Sequence, residues 1–429
     1  MELQFLGGRR VLWTRSILLV LCWGFSSALS VNDESELVMV NVLFRHGDRT
    51  PVNPYPLDPY RNASYWTTGW GQLTTVGMQQ HYELGLWLRQ RYISLLKNDY
   101  SKADLYVQST DVDRTLMSAE SNLAGLFPPR GSRMFEPGLK WQPIPIHTIP
   151  EHLDHLLAMK KSCPRYDAEF NKARNLPEIR ALEKEHQALF KYLSIHTGSD
   201  VKTIENAEYI HSTLFIESLK NLTLPEWTKP VYPEPLRTLA QWSFALPAYT
   251  TELQRLKGGP LVKEWIEHFQ KKKSGVLEPN RKMYIYSAHD TTIANILSTL
   301  GVFQRHCPPY ASTVLAELRK IKDNYYVAIF YKNSSAARPL TLNGCSELCE
   351  LDKFISLLKP VISENWEKEC HYNLMFSSED FNDLSISALA TSGVLSLILV
   401  AVLVIGFVKQ RRQVNNQFRY QTVSTRADA

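Results

Sequence analysis

Three times along this chain a short apolar run ends in a polar cluster and gives way to a helical pattern. The runs are Leu37–Phe44, Leu105–Gln108 and Met283–Tyr286, each rich in β-branched or aromatic residues, as strands are. The clusters are Arg45-His46-Gly47-Asp48-Arg49, Ser109-Thr110-Asp111-Val112-Asp113-Arg114 and Ser287-Ala288-His289-Asp290. Helical spacing follows over Thr75–Leu96, carried by Met78, Tyr82, Leu86 and Ile93. It follows again over Arg114–Phe127, stopped by Pro128-Pro129, and over Thr291–Leu300, with Asp290 placed to cap it and Gly301 beyond. Strand, cluster and helix in repetition predict an α/β fold with a mostly parallel central sheet flanked by helices. In open sheets of that kind ligands sit beyond the carboxyl ends of the strands. Clusters far apart in sequence are therefore expected to converge.

The stretch 163–273 reads differently. It is charge-rich and helical in pattern, as in Leu176–Leu193 and Thr238–Leu256, and no strand interrupts it. It is expected to form a mainly helical cap inserted into an α/β domain made of 31–162 and 274–385. A last strand pair is expected at Ala316–Leu318 and Tyr325–Tyr331.

The two ends address the chain to a membrane. Arg9, Arg10 and Arg15 precede an apolar core, Ile17–Phe25, and small residues follow, which reads as a secretory signal over 1–30. Residues 386–408 carry no charge and have the length of a transmembrane helix. Lys409, Arg411 and Arg412 follow at once, so 409–429 is read as a cytoplasmic tail and 31–385 as lumenal or extracellular. The formal net charge of +5 comes from those two ends; the stretch between them is close to neutral and offers nucleic acid no attraction. Sequons at Asn62, Asn221 and Asn333 fit a glycosylated, exported protein. Of six cysteines Cys22 leaves with the signal, and the remaining five cannot all pair within one chain. Cys345 and Cys349 are close enough for a small loop disulfide. Their spacing could suit a metal, but no second ligand pair lies nearby, and no metal site is expected.

The clusters permit a specific chemistry. A phosphate monoester needs directional cations around its oxygens, a nucleophile in line and an acid for the leaving alkoxide. Arg45, Arg49 and Arg114 suit the first task, because a guanidinium fork matches phosphate oxygens and does not titrate. His46 suits the second, as a neutral imidazole that forms a labile phosphoramidate. Asp290 suits the third when protonated, which an acidic compartment favours. Each cluster alone has a plainer reading. A histidine beside a glycine can be a structural turn, a His-Asp pair can be a helix cap, Asp48 can hold an arginine, and Arg114 can pair with Asp111 or Asp113. Three such clusters at three strand ends outweigh those readings together.

The strings Phe44-Arg45-His46-Gly47-Asp48-Arg49-Thr50-Pro51, Ser109-Thr110-Asp111-Val112-Asp113-Arg114-Thr115, Asn122-Leu123-Ala124-Gly125-Leu126-Phe127-Pro128, Trp141-Gln142-Pro143-Ile144-Pro145 and Tyr286-Ser287-Ala288-His289-Asp290-Thr291-Thr292 resemble the histidine acid phosphatases, in the branch of the lysosomal and prostatic enzymes. The resemblance covers nearly all of the lumenal part. It implies His46 as the nucleophile that becomes phosphohistidine, and Arg45, Arg49, Arg114 and His289 as phosphate ligands. It implies Asp290 as proton donor, and a water that then cleaves the phosphohistidine. The family needs no metal or other cofactor. It further implies an α/β domain with a helical cap, usually dimeric, with Trp141 and His147 at dimer-interface positions. Disulfides Cys163–Cys370 and Cys345–Cys349 are implied too. A third family bridge would align with Ile216 and Thr313 and is absent here, which leaves Cys307 as an extra cysteine without an expected partner. The span favours a membrane-bound form, and Tyr420-Gln421-Thr422-Val423 has the Tyr-x-x-apolar pattern read by endosomal sorting adaptors. The expectation is thus an acid phosphatase of phosphomonoesters in the lysosomal or endosomal lumen, or at the cell surface. A relative acting on inositol polyphosphates would want a more basic pocket than the near-neutral lumenal charge suggests. An idle ectodomain used for adhesion or signalling would have lost a catalytic group, and none is lost.

Overall fold

A computed structural model of the chain describes residues 35–371 and 396–412. The signal 1–30, the first part of the expected span and the tail with Tyr420 and Val423 lie outside the described residues. Residues 396–412 are helical with exposed side chains. Among the described residues no helix is long and apolar enough to cross a membrane.

The chain starts with β1 (Glu36–Arg45), α1 (Thr75–Arg91), β2 (Leu105–Thr110), α2 (Asp113–Leu126) and a short β3 (His147–Ile149). Seven helices follow: α3 (Pro164–Arg174), α4 (Pro177–Glu185), α5 (Gln187–Thr197), α6 (Ile204–Leu219), α7 (Leu236–Ala245), α8 (Thr251–Lys257) and α9 (Gly259–Lys273). Then come β4 (Met283–Ala288), α10 (Asp290–Thr299), β5 (Thr313–Ile321), β6 (Asn324–Lys332), β7 (Ala337–Leu340), β8 (Cys349–Glu350), α11 (Leu351–Leu358) and α12 (Trp366–His371).

The sheet runs β3-β2-β4-β1-β5-β6-β7, with β8 also paired to β6. The first four strands are mutually parallel, and every pairing from β1–β5 onward is antiparallel. The sheet is therefore mixed, which corrects the expectation of a mostly parallel one. For β5 and β6 the reason is local. Ile321 and Asn324 pair across a two-residue turn whose Lys322 has φ 52°, and so short a turn returns the chain antiparallel.

Side chains of β1 alternate between two layers, as strand geometry requires. Met39 and Leu43 join Trp265 and Phe269 of α9 and Ile293 and Leu297 of α10. Val40, Val42 and Phe44 join Leu84 and Leu88 of α1 and Leu123 and Leu126 of α2. β1 is buried on both sides, so its sequence reads as one apolar run rather than as an alternation.

A separate apolar cluster holds the cap helices together around Phe190, Leu193, Ile210, Leu214 and Leu239, and Tyr55 of the loop after β1 inserts into it. Disulfide Cys163–Cys370 ties the start of α3 to α12, and Cys345–Cys349 closes a small loop before β8. Cys307 is unpaired among the described residues. Ile216 and Thr313 are both fully buried.

Candidate active site

The register of the parallel strands brings the clusters together. Arg45 pairs with Ala288 and Ser109 with Ser287, so β1, β4 and β2 end side by side. His46 N–H donates to Ala288 O at 2.9 Å, which carries the Arg45–Arg49 loop past the start of α10. That loop lies flat on the first turn of α1. A Cβ added at Gly47 would stand 2.4 Å from Gly77 O, and one at Gly77 would stand 2.3 Å from Asp48 O. Glycine is required at both positions by backbone-to-backbone approach.

His46 is buried, and its Nδ1 lies 2.8 Å from the Gly47 carbonyl. A carbonyl only accepts, so Nδ1 carries the proton and Nε2 keeps its lone pair. Burial lowers the His46 pKa well below the usual imidazole value, and Arg45, Arg114, His289 and Arg49 add to the shift. Burial and the surrounding charges thus favour the neutral ring. His289 lies across from it, with ring centroids 5.7 Å apart. Its Nδ1 faces Arg114 Nη2 at 3.5 Å, and its Nε2 faces Thr110 Oγ1 at 3.1 Å. Arginine can only donate, so Nδ1 accepts and Nε2 carries the proton. Burial and Arg114 lower the His289 pKa to about 3.

Asp290 Oδ2 pairs with Arg45 Nη2 at 2.7 Å, and its Oδ1 accepts from Thr291 N–H. Burial pushes its carboxyl up, but Arg45, Arg49 and His289 outweigh burial and leave the pKa lowered. Asp290 was expected to cap α10. Instead His289 occupies the cap, in an extended conformation, and Asp290 is the first helical residue. Asp290 thereby stands at the very start of α10, with one carboxylate oxygen on the helix amide of Thr291 and the other on Arg45.

The guanidinium groups are held from behind. Arg45 donates to Pro308 O and lies 4.2 Å above the Tyr310 ring. Arg49 donates to Thr50 O at 3.1 Å and to Ser212 Oγ of α6 at 3.4 Å. Arg114 stands in the first turn of α2, where burial and Arg49 lower its pKa to about 10. Nε of Arg45 and Nε of Arg114 are buried donors without a partner among the described residues. Among the described residues no group of three or more His, Cys, Asp or Glu could hold a metal ion.

Arg45, His46, Arg49, Arg114, His289 and Asp290 thus share one pocket. Asp48 does not hold an arginine. Its carboxylate accepts from Thr74 and pairs with Lys220, at the end of α6, at 2.8 Å. Arg114 pairs with neither Asp111 nor Asp113, whose Oδ2 instead accepts from Gln72. Trp141 and His147 lie elsewhere, on the exposed β3 side, with the His147 ring stacked on Tyr106 at 4.8 Å. Asn62 and Asn221 are exposed and Asn333 is half-buried. Sequence reasoning missed Tyr310, Ser212, Lys220 and Glu208. Glu208 is half-buried on α6, and burial and Asp290 push its pKa up to about 7. No periodicity marks these residues.

Known proteins resemble this chain over most of its length. The family model described as the histidine phosphatase superfamily, branch 2, matches residues 36–332. Lysosomal acid phosphatase of Homo sapiens is 38% identical over 414 residues, 94% of this chain and 96% of that one. Prostatic acid phosphatase of Homo sapiens is 41% identical over 345 residues, 78% of this chain and 88% of that one. Among solved structures, Hafnia alvei phytase in its apo form superposes with a TM-score of 0.61 at 19% identity, over 80% of this chain and 99% of that one. At that identity the likeness is one of fold.

Proposed function

The chain belongs to branch 2 of the histidine phosphatase superfamily, and on that premise we propose that it is an acid phosphatase acting through a phosphohistidine. Its substrates are phosphate monoesters. One observation carries the reading of the site: the His46 Nδ1 proton is tied to Gly47 O, so that Nε2 is a neutral nucleophile facing a ring of guanidinium donors.

In the first step Nε2 of His46 attacks phosphorus. The N–P bond forms, the ester P–O bond breaks, and Asp290 gives its proton to the leaving alkoxide. In the second step water attacks phosphorus, Asp290 takes the water proton, and the N–P bond breaks to release inorganic phosphate. Arg45, Arg49, Arg114 and His289 hold the phosphoryl oxygens in both steps. Asp290 must therefore be protonated when the ester is bound. A bound dianion offsets the arginine charges that hold its pKa down, and burial then acts to raise it. Acid pH adds to that effect.

The wider reading rests on the sequence and on the relatives. It has a signal over 1–30, a lumenal α/β domain of 31–162 and 274–385 with a cap over 163–273, a transmembrane helix over 386–408 and a sorting tail read at Tyr420 and Val423. Glycans sit on Asn62, Asn221 and Asn333, two copies pair through Trp141 and His147, and the enzyme works in the lysosomal lumen. The test is hydrolysis of p-nitrophenyl phosphate by the full chain in detergent, with chelator present, between pH 4 and pH 8. Acid-optimal turnover that His46→Ala abolishes, and that Asp290→Ala lowers by at least a hundredfold, is expected. Full turnover in His46→Ala would refute the covalent step.

A further inference from the structure

One face of α6 roofs the phosphate pocket. Ser212 touches Arg49, and one turn on Phe215 packs near Tyr310, ring centroids 6.3 Å apart. Glu208 stands one turn before Ser212 on the same face, since residues three or four apart line up along a helix. The charges acting on it most strongly are those of Asp290, Arg49 and Arg45. It therefore lies on the face of α6 that Ser212 turns toward Arg49. No hydrogen bond or ion pair among the described residues holds it.

An uncommitted carboxylate there opposes the binding of a phosphate dianion. It is complementary to a positive charge on the other end of the ester. We propose that Glu208 is a specificity residue of the leaving-group side, favouring phosphomonoesters whose alcohol carries an ammonium group and disfavouring those whose alcohol carries a carboxylate.

The proposal rests on the phosphatase reading of the same pocket. Burial and Asp290 raise the pKa of Glu208 and Glu205 adds to the rise, while Arg49 and Arg45 oppose it; Tyr209 and Cys307 are the other titratable groups facing it. The balance stands at about 7, so the selection operates at pH 8 and relaxes at pH 5.

The experiment uses the full chain in detergent. It measures kcat/KM for O-phosphoethanolamine and for phosphoglycolate, each divided by the value for glycerol 2-phosphate in the same enzyme. Wild type, Glu208→Gln and Glu208→Asp are compared at pH 8 and pH 5. At pH 8 Glu208→Gln is expected to lower the first quotient and raise the second, each by about tenfold, the size of one charge interaction across a half-exposed site. Glu208→Asp is expected to restore most of both, and the change at pH 5 to be threefold or less. Quotients that do not move in Glu208→Gln, or that move in the same direction, overturn the proposal. Quotients unchanged in Glu208→Gln, while the wild type turns over glycerol 2-phosphate, sink the specificity role alone. A wild-type protein that cleaves none of the three sinks the phosphatase reading as well.

Discussion

Replacing Gly47 by alanine tests whether the nucleophile loop is positioned by backbone contact. The new Cβ would stand 2.4 Å from Gly77 O, 2.6 Å from Gly77 Cα and 2.8 Å from Gly77 C. All three are main-chain atoms of the first turn of α1, so no side chain can swing aside. Ordinary contact begins near 3.4 Å, so the loop must retreat by about 1 Å, and a displacement of that size at a reacting group costs on the order of 10²-fold in rate. His46 is the neighbouring residue, and its Nδ1 bond to Gly47 O moves with the loop. The packing strain itself costs about 1–3 kcal/mol. The assay is p-nitrophenyl phosphate turnover at pH 5, with urea midpoints measured on the same preparations. A fall of about a hundredfold in kcat/KM, mostly in kcat, with a lower midpoint is expected from this geometry. Turnover within threefold of wild type and an unmoved midpoint would refute the reasoning, because the loop would then have room that the contact distances deny.

Two further outcomes concern stability. Glu317 is fully buried and accepts from Arg91 at 2.7 Å, Arg319 at 2.7 Å and Tyr92 at 2.9 Å, tying the end of α1 to β5. Glu317→Ala leaves two guanidinium groups facing each other and is expected to cost about 3 kcal/mol in urea unfolding, while Glu317→Gln costs less. In the cap contact, Glu217 and Asp58 are buried against each other. Burial, then Asp58, raises the Glu217 pKa to about 9. A carboxyl whose folded pKa lies above its unfolded value near 4.5 contributes stability that is full below about pH 4.5 and is lost as pH climbs toward 9. Urea midpoints should therefore fall from pH 5 to pH 8.5 in wild type and fall less in Glu217→Gln. Equal slopes would show that Glu217 does not titrate with a raised pKa in the folded protein.

The strand ends were legible because two signals coincide there. An apolar run long enough to be buried on both faces stops, and side chains that are costly to bury begin. Leu37–Phe44 became Glu36–Arg45 and Met283–Tyr286 became Met283–Ala288, each longer at the polar end. The helical pattern Leu176–Leu193 hid a break. α4 ends at Glu185 and α5 begins at Gln187, and His186 between them turns its Nδ1 onto Leu182 O at 2.9 Å. Apolar spacing cannot register such a break, since both pieces bury their faces in one cap core. The hairpin at Lys322 was equally silent about its consequence: the strand pair was visible, but its direction followed from the length of the turn.

Asp290 and Glu208 show why one half of a pocket can be read from sequence and the other cannot. Asp290 follows a histidine at the end of a strand, so chain direction alone delivers it to the pocket. Glu208 lies in a charge-rich helical stretch, where acids at helical spacing are ordinarily solvated. Only the packing of α6 over the strand ends, with Lys220 on Asp48 and Ser212 on Arg49, turns that acid inward. Its environment then acts on it in the opposite sense to its neighbour. Arginines hold Asp290 down despite burial, whereas burial and Asp290 hold Glu208 up. Two carboxyls driven apart in this way divide the work. In the proposed mechanism one is charged in the free site and takes up a proton when the dianion arrives; in the proposed selection the other reports on what the dianion is attached to. A substitution that loosens α6, such as Lys220→Met, should therefore disturb the choice of leaving group more than attack by His46, whose position is fixed from below by Gly77 and Ala288.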